Sequence, residues 1–205
     1  FRFDAHAIMK LDVLTDFMAM NDELSSVYII GQDYSFGQVV ADNTIRLLGE
    51  KRPDIEIVGN EFHPIGQVKD FTPYVTKIAS SGADAVVTGN FGADMVSLAR
   101  SIIDSGLDVP IYTFYAAYDG ITATLGADGK DRIRLIHTDR ANPLASDERR
   151  EFYRAFKAQH PDSDITQSRL ANALMMVVQA MEQAQSTDPY DIAVQLEDMR
   201  FTSIA

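Results

Sequence analysis

Short apolar runs alternate with longer amphipathic stretches along most of the chain. His6–Met20 predicts a helix, because Ala7, Leu11, Leu14 and Met18 recur at three- and four-residue intervals. Val27–Gly31 (VYIIG) is a short, continuously apolar run that reads as a buried strand. Phe36–Gly49 returns to the helical period, with Val39, Val40, Asn43 and Leu47 toward one face and Gly49 as a C-cap. Ile55–Phe62 alternates and predicts a strand. Thr72 predicts a helix N-cap, with Pro73 in the first turn where a missing N–H costs nothing, and with Val75, Ile78 and Ala79 facing inward. Ala85–Thr88 is the next strand. Ala93–Ser105 is a helix with Met95, Leu98 and Ile102 on one stripe, ended by Gly106, and Val109–Phe114 and Ile133–Thr138 are two further strands.

Strands separated by helices of 10–15 residues are the mark of βαβ units and a parallel sheet. Beyond Thr138 the pattern changes to three amphipathic helices without a convincing strand. The first is Ser146–Gln159, with Ser146 as N-cap and Asp147 and Glu148 in the first turn, where acids complement the helix dipole. The second is Thr166–Gln185, with Leu170, Leu174, Val177 and Met181 in register; the third opens at Asp188-Pro189 and runs to Met199. These helices are either a bundle of their own or the outer layer of a sheet absent from the chain. The predicted fold class is therefore α/β, with a doubly wound parallel-sheet lobe followed by a helical segment.

Charge narrows the function classes. The 205 residues carry 18 basic and 30 acidic side chains, a formal net charge of −12. A phosphate backbone or an anionic membrane surface calls for a basic patch, and none is visible. The absence of Cys removes disulfide scaffolds, zinc ribbons and thiol chemistry. No apolar run approaches the roughly 20 residues that span a bilayer. His6, His63, His137 and His160 do not stand at metal-ligand spacing and read as surface or strand-end residues. Gly31–Gly37 (GQDYSFG) links a strand to a helix, but it is neither G-x-G-x-x-G nor a P-loop, and G-x-S-x-G is absent. Neither a cofactor nor a metal is implied.

The informative feature is where the aromatics fall. In an open α/β sheet, ligands bind outside the carboxyl ends of the strands. Asp33, Tyr34 and Phe36 follow VYIIG; Gly89, Asn90 and Phe91 follow AVVT; Tyr115, Ala116, Ala117 and Tyr118 follow VPIYTF. Taken singly, Phe36 and Phe91 read equally well as plugs for the top of the sheet. Three successive strand ends that deliver rings and amides to one edge predict a binding wall. Without a nucleophile–base pair, such a wall holds a ligand rather than transforming it. Gly89 and Gly92 would let the backbone approach a bound molecule.

The runs VYIIGQDYSFGQ, DFTPYVTKI and GADAVVTGNFGADMVSLARSIIDSGLDVPIYTFYA, in that order, resemble the type I periplasmic solute-binding proteins of ABC importers, of the leucine/isoleucine/valine type. The resemblance implies two doubly wound lobes that close on a small-molecule solute by hinge motion, a periplasmic location, and a membrane permease as partner. It implies a chain truncated at both ends, with residues 3–138 as the second lobe and 139–205 as helices of the first lobe, whose sheet would come from a lost fragment or a second chain. It carries Tyr34 over as a ring covering the ligand, and Phe91 or Gly92 as the next strand-end contact beside Asn90. Tyr115 and Ala116 fall where amino-acid-binding members place an acid for the ligand's ammonium, and the nearest acid here is Asp119. A buried ammonium without an anionic partner is costly. The resemblance implies a branched-chain amino acid or a related small organic acid as solute, and the departure leaves room for a small carboxylate with an aromatic body, packed on Tyr34, Phe91 and Tyr115. The alternatives are a ligand-sensing domain with the same fold and, more remotely, a small α/β hydrolase or transferase.

Overall fold

The computed structural model describes residues 5–116, 121–136, 146–161 and 168–202. The chain divides into two compact units, His6–His137 and a second formed by Phe1–Ala5 with Thr138–Ala205.

In the first unit, strands β1 (Ser26–Gln32), β2 (Glu56–His63), β3 (Ala85–Val87), β4 (Ile111–Thr113) and β5 (Ile133–Leu135) form one parallel sheet in the order β2-β1-β3-β4-β5. The connecting helices are α1 (Ala7–Ala19) before β1, then α2 (Ser35–Lys51), α3 (Thr72–Ser81), α4 (Gly92–Asp104) and α5 (Ile121–Leu125), the last followed by the 3₁₀ turn Gly126–Gly129. Side-chain alternation splits the central strands β1, β3 and β4 between two cores. Tyr28, Ile30, Val86 and Ile111 pack with Val75 and Ile78 of α3 and Met95, Leu98 and Ile102 of α4. Val27, Ile29, Ala85, Val87 and Tyr112 pack with Leu11, Leu14 and Met18 of α1 and Val40, Leu47 and Leu48 of α2. Both faces of the central strands are covered, which is why VYII of β1 and AVV of β3 read as unbroken apolar runs, whereas the edge strand β2 alternates. A bulge at Val58 shifts the β1–β2 register between Val27 and Tyr28.

The structure corrects several local readings. The residue capping α3 is Phe71, and the Thr72 amide donates to Asp70 Oδ1 at 2.9 Å, so Thr72 already lies in the first turn. Helix α2 runs through Gly49 to Lys51. Its buried face holds Val40, Ala41, Thr44, Leu47 and Leu48; Val39 is exposed and Asn43 donates to its own helix at Val39 O, 2.8 Å. Ala79 faces solvent, whereas Val75 and Ile78 are buried as expected. Helix α5 escaped the periodicity argument because five residues are too few to show a helical face.

In the second unit, α6 (Asp147–Gln159), α7 (Ser168–Ala184) and α8 (Pro189–Leu196) are the elements described. Ser146 caps α6, its side chain accepting from the Arg149 amide at 3.2 Å. Asp188 Oδ1 caps α8 by accepting from the Tyr190 and Asp191 amides at 2.9 and 3.4 Å. Helices α7 and α8 pack together, with Ala180 and Ile192 buried. Leu170, Leu174 and Val178 form an exposed stripe along α7 at four-residue spacing.

Candidate functional site

Strand order locates the site. From β1 the chain moves outward to β2, then returns past β1 to β3 and proceeds the other way. The connections therefore leave β1 and β3 in opposite directions, and the carboxyl ends of this adjacent pair open a crevice at the topological switch point. Tyr34 follows β1, Phe91 follows β3 and Tyr115 follows β4, so rings stand on both sides of that point.

Each ring is placed by a local constraint. Tyr34 is extended (φ −163°, ψ 175°) at the start of α2; its amide donates to Gln32 O at 2.9 Å and its carbonyl accepts from the Gln38 amide at 3.1 Å. The tight turn depends on Gly37, where a Cβ would lie 1.9 Å from Gln32 O. Phe91 is likewise extended (φ −136°, ψ 170°) at the start of α4, and Gly92 after it takes φ +57° with open space where a Cβ would be. Gly92 thus answers a backbone requirement. Gly89 answers a packing one, since a Cβ there would meet Val40 Cγ2 at 2.8 Å.

The rings form one connected set. Phe36 lies 5.9 Å from Tyr34 and 5.7 Å from Tyr115, ring centre to ring centre; Tyr115 meets Phe91 edge-on at 6.2 Å and Phe114 at 4.8 Å. Such pairs contribute ~0.5–1.5 kcal/mol each beyond area burial, so the set behaves as a stiff surface. Phe91 is the most open member at 39 % exposed; Tyr34, Phe36 and Tyr115 are half-buried. Burial raises the Tyr34 phenol above its ordinary pKa. The buried Lys10 of α1 places Nζ 5.1 Å from the centre of the Tyr115 ring and brings positive charge to the back of the set.

Behind the rings lies a buried polar layer. Asn90 Nδ2 stands 2.8 Å from His63 Nε2 at the end of β2, and His63 Nδ1 stands 3.3 Å from Pro64 O. The Asn90 amide donates to Thr88 Oγ1 at 3.0 Å. His63 has no exposed surface and packs edge-on against Phe71 at 4.9 Å. Asp94, in the first turn of α4, accepts at Oδ2 from Gln32 Nε2 and from the Gly66 amide, both at 2.8 Å.

The structure thus brings Tyr34, Phe91, Gly92 and Tyr115 to one edge. Asn90 and Ala116 sit at the same strand ends but have no exposed surface and support the edge from within. Asp119 lies outside the described residues. Lys10, Gln32, His63 and Asp94 were not singled out from the sequence. Lys10 did leave a signal, a charged residue next to Leu11 on the inward stripe of α1. Asp94 left an ambiguous one, since an acid in a helix's first turn is usually an exposed complement to the dipole.

The edge presents half-buried and exposed aromatic rings, which suits the enclosure of a small molecule with an apolar body. The hydrogen bonds found for His63 go to an amide and a carbonyl rather than to a nucleophilic hydroxyl. Among the described residues, no three His, Asp or Glu side chains are grouped to hold a metal ion, and no helix is long and apolar enough to cross a membrane.

Comparison with known proteins agrees with this architecture. The family model described as "Periplasmic binding protein" matches residues 1–205, and the chain belongs to that family, whose members bind solutes. It is 30 % identical over 134 residues to Leu/Ile/Val-binding protein homolog 4 of Brucella abortus, covering 65 % of this chain and 32 % of the relative. It is 27 % identical over 188 residues to homolog 3 of Brucella melitensis, covering 87 % and 47 %. Among solved structures, the R. palustris ABC-transporter solute-binding protein in complex with benzoate superposes with a TM-score of 0.84 at 18 % identity, over all of this chain and 56 % of that one. The Brucella ovis leucine-, isoleucine-, valine-, threonine- and alanine-binding protein superposes with a TM-score of 0.78 at 23 % identity, over all of this chain and 53 % of that one. The fold is that of the type I periplasmic binding proteins, and the chain spans about half the length of these structures.

Proposed function

We propose that this chain is part of the non-enzymatic solute-binding component of an ABC importer, working in the periplasm and delivering its solute to a membrane permease. On this reading residues 3–138 are the second lobe and present one wall of the solute site, made of Tyr34, Phe91, Gly92 and Tyr115. The opposing wall comes from protein outside this chain. Residues 139–205 are helices of the first lobe, and the exposed Leu170–Leu174–Val178 stripe of α7 packs on the sheet of that lobe.

The observation that carries the reading is the continuous ring set that straddles the β1/β3 switch point. The solute class is a small carboxylate with a branched-chain or aromatic body. The rings favour a solute with an apolar body, and relatives of the same fold carry benzoate and 4-hydroxybenzoate. Calorimetric titration of the intact protein with leucine, isoleucine, valine, benzoate and 4-hydroxybenzoate tests it. Micromolar or tighter binding of at least one is expected, with the heat signal lost in the Tyr34→Ala, Phe91→Ala double variant. Binding of none of the five overturns this solute class, and binding unaffected by the double variant overturns the wall.

A further inference from the structure

We propose that Asp94 is the positioning residue of the ring-lined edge: one carboxylate oxygen joins the β1 end, the β2–α3 connection and the α4 start, and so sets Tyr34 and Phe91 relative to each other. Its value for binding rests on the ring edge being the solute wall. Asp94 is only 4 % exposed, yet its bonds do not run along its own helix. Oδ2 accepts from Gln32 Nε2 at 2.8 Å and from the Gly66 amide at 2.8 Å. Gln32 stands two residues before Tyr34, Asp94 three residues after Phe91, and Gly66 three residues beyond the end of β2.

An acid that merely complemented the helix dipole would be solvated and would bond amides of α4. This one is desolvated and spends its two bonds on other segments. The negative charge makes both bonds charge-assisted, roughly twice as strong as neutral ones. The N-terminus of α4 and the two donors offset the cost of burying the ion. Gln32 is thereby held in one orientation. Among the described residues its Oε1 has no partner, and rotating the amide would set that oxygen against the carboxylate. With Gln32 fixed, the Tyr34 turn is fixed from below through the Tyr34 amide bond to Gln32 O. The Asn90–His63 pair braces the β3 end against the β2 end, but it does not reach Gln32 at the end of β1 or Gly66.

The test compares Asp94→Ala and Asp94→Asn in the intact protein with Asp84→Ala, which breaks an exposed clamp at the opposite, amino-terminal edge of the sheet. Without any ligand, nuclear magnetic resonance is expected to show fast exchange of the Gly66 amide and displaced Tyr34 and Phe91 ring signals in Asp94→Ala. Asp94→Asn, which keeps an acceptor oxygen, should show smaller changes, and Asp84→Ala none at these positions. With whichever of benzoate, 4-hydroxybenzoate, leucine, isoleucine or valine the parent binds, Asp94→Ala should weaken affinity about tenfold or more, Asp94→Asn less, and Asp84→Ala less than about twofold, well below every unfolding transition. If Asp94→Ala does not fold, Gln32→Met removes the donor from the other side and should give the same ring displacement. Unchanged Gly66 exchange or unmoved ring signals overturn the clamp. Displaced rings with parental affinity overturn its role in binding, as does an equal affinity loss in Asp84→Ala. A parent that binds none of the five solutes overturns the solute reading alone, and the exchange and ring signals still decide the clamp.

Discussion

Asp84 offers the cleanest quantitative test of how the sheet is held. It precedes β3, and its Oδ2 accepts four hydrogen bonds from the start of β1: Ser25 N at 3.1 Å, Ser25 Oγ at 2.6 Å, Ser26 N at 2.9 Å and Ser26 Oγ at 2.9 Å. These bonds hold the carboxyl below its ordinary pKa, the Ser25 and Ser26 side chains contributing most and desolvation opposing them. Bonds to a charged group reach ~1.5–3 kcal/mol each when shielded from water. Asp84 is exposed, so water competes for it, and the whole clamp is worth about 1–2 kcal/mol, comparable to a helix N-cap. Asp84→Ala should therefore lower the urea midpoint at pH 7 by that free energy with an unchanged slope. The sign of the pH dependence follows from the depressed folded-state pKa. The stabilisation is fully present above the unfolded carboxyl's pKa of about 3.9 and is lost as pH falls through the lower folded value. The difference between parent and Asp84→Ala should shrink on titrating from pH 7 to pH 3. Asp84→Asn, with an acceptor but no charge, should sit between them and vary little with pH. A difference that stays constant from pH 7 to pH 3 would refute the assignment of the clamp to the ionised carboxylate.

Other outcomes follow from the same structure. Gly37→Ala forces a methyl against Gln32 O and should cost about 3 kcal/mol in chemical denaturation, with the Tyr34 turn distorted. Lys51 joins α2 to α1 through Asp12 and Asp16, each at 2.7 Å. Burial pulls its pKa down, but the bonds to the two carboxylates outweigh this and leave it raised. Its stabilisation should persist below the unfolded lysine pKa and fade as pH rises through the raised folded one, so Lys51→Met should be less stable than the parent at pH 7 and approach it in strongly alkaline solution. Tyr34→Ala or Phe91→Ala singly should weaken solute binding by about tenfold or more, as ring anchors do when truncated, while Tyr34→Phe separates ring packing from the hydroxyl; calorimetry reads both. Leu98→Ala, at a core position with no exposed surface, should cost about 2–5 kcal/mol without altering which solute is bound.

Much of the fold was legible along the chain. The stripes Leu11–Leu14–Met18 and Met95–Leu98–Ile102 are buried as their spacing predicts, and the runs VYII and AVV lie in strands covered on both faces. These are local properties: helical and extended backbones repeat at 3.6 and 2 residues, and burial imposes that period on the apolar positions. The errors were local as well, and arose where a side chain had two uses. Gly89 looked like room for a ligand and is room for Val40; Thr72 looked like a cap and lies within the turn that Asp70 supports.

The ring positions after the strands, Tyr34, Phe91 and Tyr115, could be read from sequence because a strand's carboxyl end is marked by its own pattern. Which strands are neighbours could not, since pairing joins residues far apart and leaves no period in the chain. The order β2-β1-β3-β4-β5 is what sets Tyr34 and Phe91 across one crevice. The buried layer was hidden for the same reason. Asp94, Gln32 and Gly66 are 28 to 62 residues apart, and an acid, an amide and a glycine become a clamp only when three segments converge. The sequence by itself determined most of the elements, their α/β class and the aromatic residues that follow β1, β3 and β4. The tertiary structure alone decided which of those ends meet and which polar groups lose water when they do, because desolvation and convergence are properties of the packed chain.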